Sequence, residues 1–483
     1  MGDEISIATI AAAEGLGVPD PERPVVAVQG LGFVGAAMAV AVASATDESG
    51  APRYQVVGVD LADPAGRARI DALNAGEFPF ETNDTSLLAA LSAARDREAL
   101  VCCSDDRAYG LADVIVIDVP LDIDWQSDDP ELRLDGFTAA IRAVGRHATA
   151  GTLVIVETTV PPGTTERVVV PTLAEELTAR GIDPTRVLVA HSYERVMPGA
   201  DYFDSIVNFW RVYAGHDEAA AEATDAFLGT VINTADYPLT RLSHTTASET
   251  AKVLENTYRA TTIALMEEWA RFAELAGIDL FEIVDAIRAR PTHTNIRTPG
   301  FGVGGYCLTK DPLFARLGAR AFFDTDLDFS FSAAAVATNM DAPLASLDRL
   351  QTMLGGALAG RRILLLGISY RQDVGDTRYS PSETFVRAAR DRGAEVEAYD
   401  PLVRHWDELD YDTPATLPES DGFDAVVFAV PHDEFRTLDL PDWFGDHRPT
   451  VLDAFGVLGP DQRAAALAHG CVVAATGRGD TPD

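Results

Sequence analysis

Lysine is almost missing from this chain. Only Lys252 and Lys310 occur among 483 residues, and arginine supplies the rest of the 38 basic side chains, set against 75 acidic ones for a net charge of −37. The acidic surplus is spread along the whole sequence, which leaves no basic patch and excludes nucleic acid and anionic membrane as partners. Such a charge repels itself at low ionic strength, and the repulsion is screened when the Debye length falls to about 3 Å in molar salt. A chain so poor in lysine and so rich in acid is expected in a very salty cytoplasm. Cysteine is scarce as well. Cys102, Cys103, Cys307 and Cys471 show neither CxxC spacing nor a histidine-rich neighbourhood, so neither a metal site nor a disulfide framework is expected. Long apolar runs are absent, none approaching the roughly 20 residues that span a bilayer. The opening MGDEISIATIAAAEGLG lacks the basic segment that directs export.

The two surviving lysines fall in stretches rich in other chemical groups, Lys252 near Asn256 and Lys310 beside Cys307 and Asp311. A compact ammonium can approach a reacting oxygen where a wider, permanently charged guanidinium cannot. Both lysines are therefore candidates for active-site work. Chance survival is the plain alternative, and the clustering counts against it.

The length is too great for one hydrophobic core, and with 47% hydrophobic residues the chain is expected to be globular throughout. Two places show a strand running into a glycine turn and then a helix: Val25 to Gly35, followed by AAMAVAVASA, and Arg362 to Gly367, followed by a helix over about 382–392. Further strands are expected at 55–60, 114–119, 152–157 and 187–190 in the first region, and at 395–399, 425–430 and 451–454 in the second. This alternation predicts an α/β chain with two doubly wound, Rossmann-like domains. The middle reads as mainly helical, and its longest helix, about 244–275, carries Ala251, Leu254, Tyr258, Leu265, Trp269 and Phe272 near helical spacing and stops at Gly277. Such a helix suits packing against a copy of itself, so a homodimer is expected. The boundaries predicted are an extension of unreadable function over 1–23, a dinucleotide domain over 24–216, a central helical domain over 217–355 and a second α/β domain over 356–483.

Gly30, Gly32 and Gly35 form GxGxxG between a strand and a helix, the context that gives this pattern meaning. Gly30 permits the tight turn, Gly32 lets the backbone approach a pyrophosphate, and Gly35 lets helix and strand close-pack. Asp60 ends the next strand, where a carboxylate suits a ribose hydroxyl and repels a 2′-phosphate, which favours NAD over NADP. A glycine turn used only for packing is the competing account.

Lys252 and Asn256 stand four residues apart and project from one helix face, where an ammonium and an amide could steady charge on an alkoxide or carbonyl oxygen. Downstream, four glycines between Gly300 and Gly305 precede Tyr306-Cys307-Leu308-Thr309-Lys310-Asp311. A lone cysteine in such a loop is more often a small buried hydrophobe. Beside a dinucleotide fold, its thiolate suggests covalent capture of an aldehyde.

From about residue 24 to its end the chain resembles the UDP-glucose/GDP-mannose dehydrogenase family, the nucleotide-sugar 6-dehydrogenases that oxidise a C6 alcohol to a carboxylate with two NAD. GLGFVG resembles the family's cofactor loop and Asp118-Val119-Pro120 its third-strand end, with Leu121 where a threonine is common. Glu157-Thr158-Thr159-Val160-Pro161-Pro162-Gly163 resembles the segment with an active-site threonine, matched by Thr159. The run from His191 to Gly199 resembles the loop whose glutamate assists hydrolysis, matched by Glu194 and followed by Arg195. AKVLEN supplies Lys252 and Asn256, GGYCLTKD supplies Gly304, the nucleophile Cys307, Lys310 and Asp311, and the loop from Asp373 to Pro381 supplies Arg378 for the substrate. The resemblance implies that Gly30, Gly32, Phe33, Val34, Gly35, Asp60, Pro120, Thr159 and Lys310 serve NAD. It assigns Glu194, Arg195, Lys252, Asn256, Gly304 and Arg378 to a UDP-sugar, and catalysis to Cys307, Lys252, Asn256, Asp311, Glu194 and Thr159. It also implies that the last domain holds UDP and the helical middle makes the dimer.

Two motifs differ on the sugar. Glu194-Arg195-Val196-Met197-Pro198-Gly199 and the Pro-Pro-Gly-Thr-Thr run are similar to the branch acting on UDP-N-acetylhexosamines, whereas Gly-Tyr-Cys-Leu-Thr-Lys-Asp is similar to the UDP-glucose branch. The Glu194 loop, beside the sugar, carries more weight. Outside this family, a two-electron hydroxyacid dehydrogenase also combines GxGxxG with a lysine and an asparagine, but it needs neither a nucleophilic cysteine nor a second nucleotide domain. A catalytically idle sensor of nucleotide sugars would need none of the reactive groups.

Overall fold

The computed structural model describes residues 5–17, 20, 22–125, 130–197, 199 and 201–479; Pro198 of the Glu194 loop and parts of the N-terminal extension lie outside them. The chain divides into two compact units, one made of residues up to Val253 together with Phe314–Leu327, the other of Leu254–Leu313 together with the chain from Asp328 onward.

The first unit is built on eight strands: β1 (Val25–Gln29), β2 (Gln55–Val59), β3 (Leu100–Cys103), β4 (Val114–Ile117), β5 (Leu153–Val156), β6 (Leu188–Tyr193), β7 (Val212–Gly215) and β8 (Thr240–Arg241). Their order is β8-β7-β6-β5-β4-β1-β2-β3. All neighbouring pairs are parallel except β6 with β7. The central strands read as near-continuous valine, isoleucine and leucine, as expected where helices cover both faces. The strand order reverses between β1 and β4, and in open α/β sheets such a reversal opens a crevice at the carboxyl ends of the strands. Two helices frame this unit. α1 (Ile7–Ala13) is capped by Ser6 and buries Ile7, Ile10 and Ala11, and Glu14 behind it pairs with Arg67. The N-terminal stretch thus folds onto the first unit, through an i, i+3, i+4 apolar pattern too short to stand out in the sequence. α2 (Phe33–Ser44) is buried without a break from Gly35 to Ala43, its small side chains lying flat on the sheet.

The long central helix is α3 (Thr245–Ala276), one residue from its predicted bounds at either end. Leu254, Tyr258, Leu265, Trp269 and Phe272 are all exposed, while Met266, Ala270 and Ala273 turn inward. In the second unit α4 (Ser330–Met353) and α5 (Pro381–Asp391) accompany a five-stranded parallel sheet of β9 (Arg362–Leu366), β10 (Glu395–Tyr399), β11 (Ala425–Phe428), β12 (Thr450–Asp453) and β13 (Val473–Ala475). Its order is β10-β9-β11-β12-β13, again with a reversal beside the first strand. No helix among the described residues is long and apolar enough to cross a membrane.

Candidate active site

The first glycine loop is shaped by close approach. Gly30 has φ of +88°, and a side chain on it would meet the Asp118 carbonyl oxygen at 2.8 Å; one on Gly35 would meet the Gly30 carbonyl oxygen at 1.9 Å. Gly32 alone in the motif opens onto space, with no atom within 4 Å of a notional Cβ. Phe33 and Val34 start α2 there, so backbone N–H groups and the helix N-terminus face the open side, which fits a dinucleotide's pyrophosphate. Asp60 follows β2. Its carboxylate accepts the Leu31 N–H at 3.0 Å and is held by Arg69, Nε at 2.7 Å and Nη2 at 3.0 Å. Arg69 went unread in the sequence, and its signal was a basic residue on the helix after that strand. Pro120 is exposed beyond β4 and Thr159 is half-buried beyond β5. Thr158, rather than Thr159, ties the two strand ends together, donating to the Ile117 carbonyl at 3.1 Å and the Val119 carbonyl at 2.8 Å.

Three ionisable groups, Arg211, Glu157 and Asp118, lie at the ends of these strands. Arg211 bonds one oxygen of Glu157. The other Glu157 oxygen, Oε2, and Oδ2 of Asp118 are both sealed from solvent, and neither receives a donor from the protein. Asp118 lies within hydrogen-bonding reach of Glu157, and burial first, then the charge of Glu157, pushes its carboxyl well above the usual range. Two facing acceptors are satisfied together by one proton between them.

The opening turns of α3 carry a buried polar stripe. Thr245 donates to Glu166 at 2.7 Å, Ser248 pairs with Nδ1 of His191 at 2.8 Å, and Glu249 accepts the N–H groups of Gly163 and Thr165 at 2.6 and 2.7 Å. Lys252 completes the stripe, donating to the Glu194 carbonyl at 2.8 Å, with a Glu194 carboxylate oxygen at 3.5 Å and the Tyr193 ring at 5.4 Å. Burial pushes Glu249 up to about 7 and His191 down to about 3, which keeps the imidazole neutral. Glu194 also accepts the Val196 N–H, and Arg195 donates to the Trp210 carbonyl at 2.7 Å and lies over the Tyr193 ring.

In the second unit Cys307 is exposed, whereas Cys102, Cys103 and Cys471 are buried. Its carbonyl accepts the N–H groups of Lys310 at 3.3 Å and Asp311 at 2.9 Å, winding the chain into a turn. Asp311 is fully buried and receives Asn256 at 2.8 Å on one oxygen and Lys310 at 2.9 Å on the other. The Lys310 ammonium also lies 4.2 Å from the centre of the Tyr306 ring. Lys252 and Asn256, one turn apart on α3, thus serve different carboxyl groups. Gly304 and Gly305 admit Tyr370, whose atoms would stand 2.8 Å from a Cβ at either position. Arg378 forks onto Asp376, at 3.0 and 2.7 Å. Behind it, at the ends of β9, β10 and β11, His432 is buried against Asp400 at 3.1 Å and Ser369 at 3.0 Å. Among the described residues no cluster of histidine, cysteine, aspartate and glutamate could hold a metal ion.

Comparison with known proteins agrees with both halves. Residues 25–229 match the NAD binding domain of the UDP-glucose/GDP-mannose dehydrogenase family, 246–341 its central domain and 364–460 its UDP binding domain. A UDP-N-acetyl-D-mannosamine dehydrogenase of Pyrococcus horikoshii is 32% identical over 420 residues, covering 86% of this chain and 90% of its own. A UDP-N-acetyl-D-glucosamine 6-dehydrogenase of Pseudomonas aeruginosa is 29% identical, covering 86% and 92%. Among solved structures, the P. horikoshii UDP-D-ManNAc dehydrogenase superposes with a TM-score of 0.79 at 28% identity, over 95% of this chain and 100% of that one. A UDP-glucose dehydrogenase of Pyrobaculum islandicum gives 0.77 at 26% identity, over 92% and 98%. The chain is an NAD-dependent dehydrogenase and belongs to the UDP-glucose/GDP-mannose dehydrogenase family.

Proposed function

We propose that the enzyme oxidises the C6 alcohol of a UDP-N-acetylhexosamine to the uronic acid, with UDP-N-acetylmannosamine the first candidate and UDP-N-acetylglucosamine the second. The observation that carries a four-electron reaction is Cys307, an exposed thiol at the end of a glycine loop whose base is anchored by buried Asp311. A two-electron hydroxyacid dehydrogenase has no task for that thiol, nor for a UDP binding domain.

NAD, when bound, accepts one hydride in each of two oxidations. Gly30, Gly32, Phe33, Val34, Gly35 and Asp60 hold it, with Pro120, Thr159 and Lys310 as further contacts. Gly304, Arg195 and Arg378 bind the UDP-sugar. In the first oxidation Asp311, through a water, takes the C6 hydroxyl proton while Lys252 and Asn256 steady the oxygen. Cys307 then adds to the aldehyde carbon, forming a C–S bond as its proton passes to the carbonyl oxygen. Loss of a hydride and the hydroxyl proton from that thiohemiacetal gives a thioester. Water held near Glu194 breaks the C–S bond, which returns the thiol and releases the carboxylate and a proton. The covalent step keeps a reactive aldehyde from escaping between the oxidations.

The acetamido sugar is supported by the names of the similar enzymes and by the Glu194 loop, whose backbone and carboxylate both face Lys252. The Gly-Tyr-Cys-Leu-Thr-Lys-Asp run keeps UDP-glucose as the alternative. The exposed stripe of Leu254, Tyr258, Leu265, Trp269 and Phe272 supports a homodimer, and the charge of −37 supports work in high salt. An NADH assay in molar KCl with UDP-ManNAc, UDP-GlcNAc and UDP-glucose tests all but the dimer. Two NADH per acetamido sugar are expected; one per sugar overturns the covalent route, preference for UDP-glucose overturns the sugar, and activity confined to dilute buffer overturns the salt reading.

A further inference from the structure

The loop that ends at Cys307 begins against a carboxyl group the reaction above does not use. Glu267 stands eleven residues beyond Asn256 on α3, about three turns along and near the same face. It is 5% exposed. Its Oε1 accepts the Gly300 N–H at 3.2 Å, and the Gly302 N–H is a second backbone donor to the same carboxyl. The backbone there has little freedom. Phe301, between the two donors, is buried against Phe385 at 5.7 Å. Gly302 has φ of +85°, and a side chain on it would meet the Asn339 carbonyl at 2.5 Å. Farther along, the Gly305 N–H donates to the Arg378 carbonyl at 3.1 Å, and Asn256 holds Asp311 at the far end.

A carboxylate can give each of the two backbone donors its own oxygen, whereas a side-chain amide brings a single acceptor oxygen and an NH2 group that cannot accept. Burial pushes Glu267 up to about 8, against the N–H groups of Gly300 and Gly302, which pull it down. Arg271 and Glu274 are the charges nearest it on its own helix, and Arg349 of α4 is bonded to Glu274 at 3.0 Å.

We propose that Glu267 is a positioning residue for the nucleophile loop, acting on Cys307 through the backbone amides of Gly300 and Gly302 and not on the reacting atoms. This rests on Cys307 being the nucleophile. It differs from mere structural support in acting on one loop, so the neighbouring Glu274, which accepts the Gly477 N–H at 2.8 Å, is the contrast.

The test compares full-length E267A, E267Q and E274Q by kcat, KM for NAD, and the rate at which iodoacetamide alkylates Cys307, with C307S as the blank. E267A is expected to lower kcat about tenfold or more at unchanged KM for NAD, and to change the alkylation rate by more than about threefold, because a small displacement of a reacting group is costly. E267Q keeps one acceptor oxygen and should recover most of both losses, while E274Q should leave both at the wild-type level. Wild-type kcat and alkylation in E267A overturn the proposal, as does an E267Q no better than E267A, or an E274Q with the same losses. Should E267A fail to fold, E267Q decides alone: a partial fall in kcat supports the role and a wild-type kcat overturns it. Full turnover by C307S would instead sink the catalytic assignment of the thiol, and the alkylation rates would still report on the loop.

Discussion

Replacing Asp118 by asparagine is expected to stabilise the protein, increasingly so as the pH rises. Oδ2 of Asp118 and Oε2 of Glu157 are two sealed acceptors without a donor, and a single proton between them satisfies both. Folding therefore raises the Asp118 pKa above its ordinary 3.8, by burial first and by the charge of Glu157 second. The sign follows from that direction. The group's contribution is fully present below the unfolded value and is lost as the pH climbs towards the folded one. Within that window each pH unit costs about 1.4 kcal/mol, which for a unit of this size corresponds to roughly 3 to 6 °C in melting temperature. The side-chain amide introduced by D118N would donate an N–H to Glu157 at every pH and has no proton to lose. Thermal melts of D118N and wild type from pH 5 to 9 in constant molar KCl give the answer as a difference, in which the response of the −37 net charge largely cancels. R211A supplies the opposite control. It removes the cation bonded to Glu157 and should cost about 3 to 5 kcal/mol. Parallel melting curves for D118N and wild type, or a variant that loses ground at high pH, would refute the shared proton.

Cys307→Ser is expected to cut formation of the acid on the order of a thousandfold or more, read as NADH released over many turnovers; turnover close to wild type would remove the thiol from the reaction. His432 resists ionisation through burial, yet its bonds to Asp400 and Asp373 outweigh that and hold its pKa above 6.5. Its stabilisation is present below that value and lost as the pH rises through the folded one. His432→Ala should therefore cost about 3 to 5 kcal/mol in acid solution, by leaving Asp400 buried without its cation, and less in alkaline solution; urea melts at two pH values measure the contrast. Trp269→Asp places a charge within the exposed stripe on α3, where Trp269 is 50% exposed. It should convert a dimer to a monomer by light scattering without lowering the melting temperature of a monomer.

Much of the framework was legible because the parallel strands announce themselves. Arg362–Leu366 and Glu395–Tyr399 have their predicted bounds, and the others differ by one to three residues at an end. Of the sheet strands that escaped, Leu100–Cys103, Val212–Gly215 and Val473–Ala475 are three or four residues long and Thr240–Arg241 two, too short to show a period. The chemical motifs were legible for a different reason: glycine spacing, a rare lysine and a lone thiol stand out against their surroundings. The acids that organise the site do not. Asp118, Glu157, Glu249 and Glu267 are four among 75 acidic residues, and nothing in their neighbours says that they are sealed away from water. Their burial is set by strand register and helix packing, which only the folded chain supplies. The stripe from Leu254 to Phe272 was read correctly as helical, but periodicity could not tell which of the helix's faces points outward.

Both side-chain amines of this protein are out of reach in the native state, Lys252 at 5% and Lys310 at 1% exposure, and each is committed to a carboxylate. They also fall in different units. Acylating reagents that decorate the surface of an ordinary protein will therefore find no lysine here until a unit opens. Mass spectrometry of the tryptic peptides around residues 252 and 310 then becomes a local unfolding clock, one hand for each half of the molecule, with no label to be engineered.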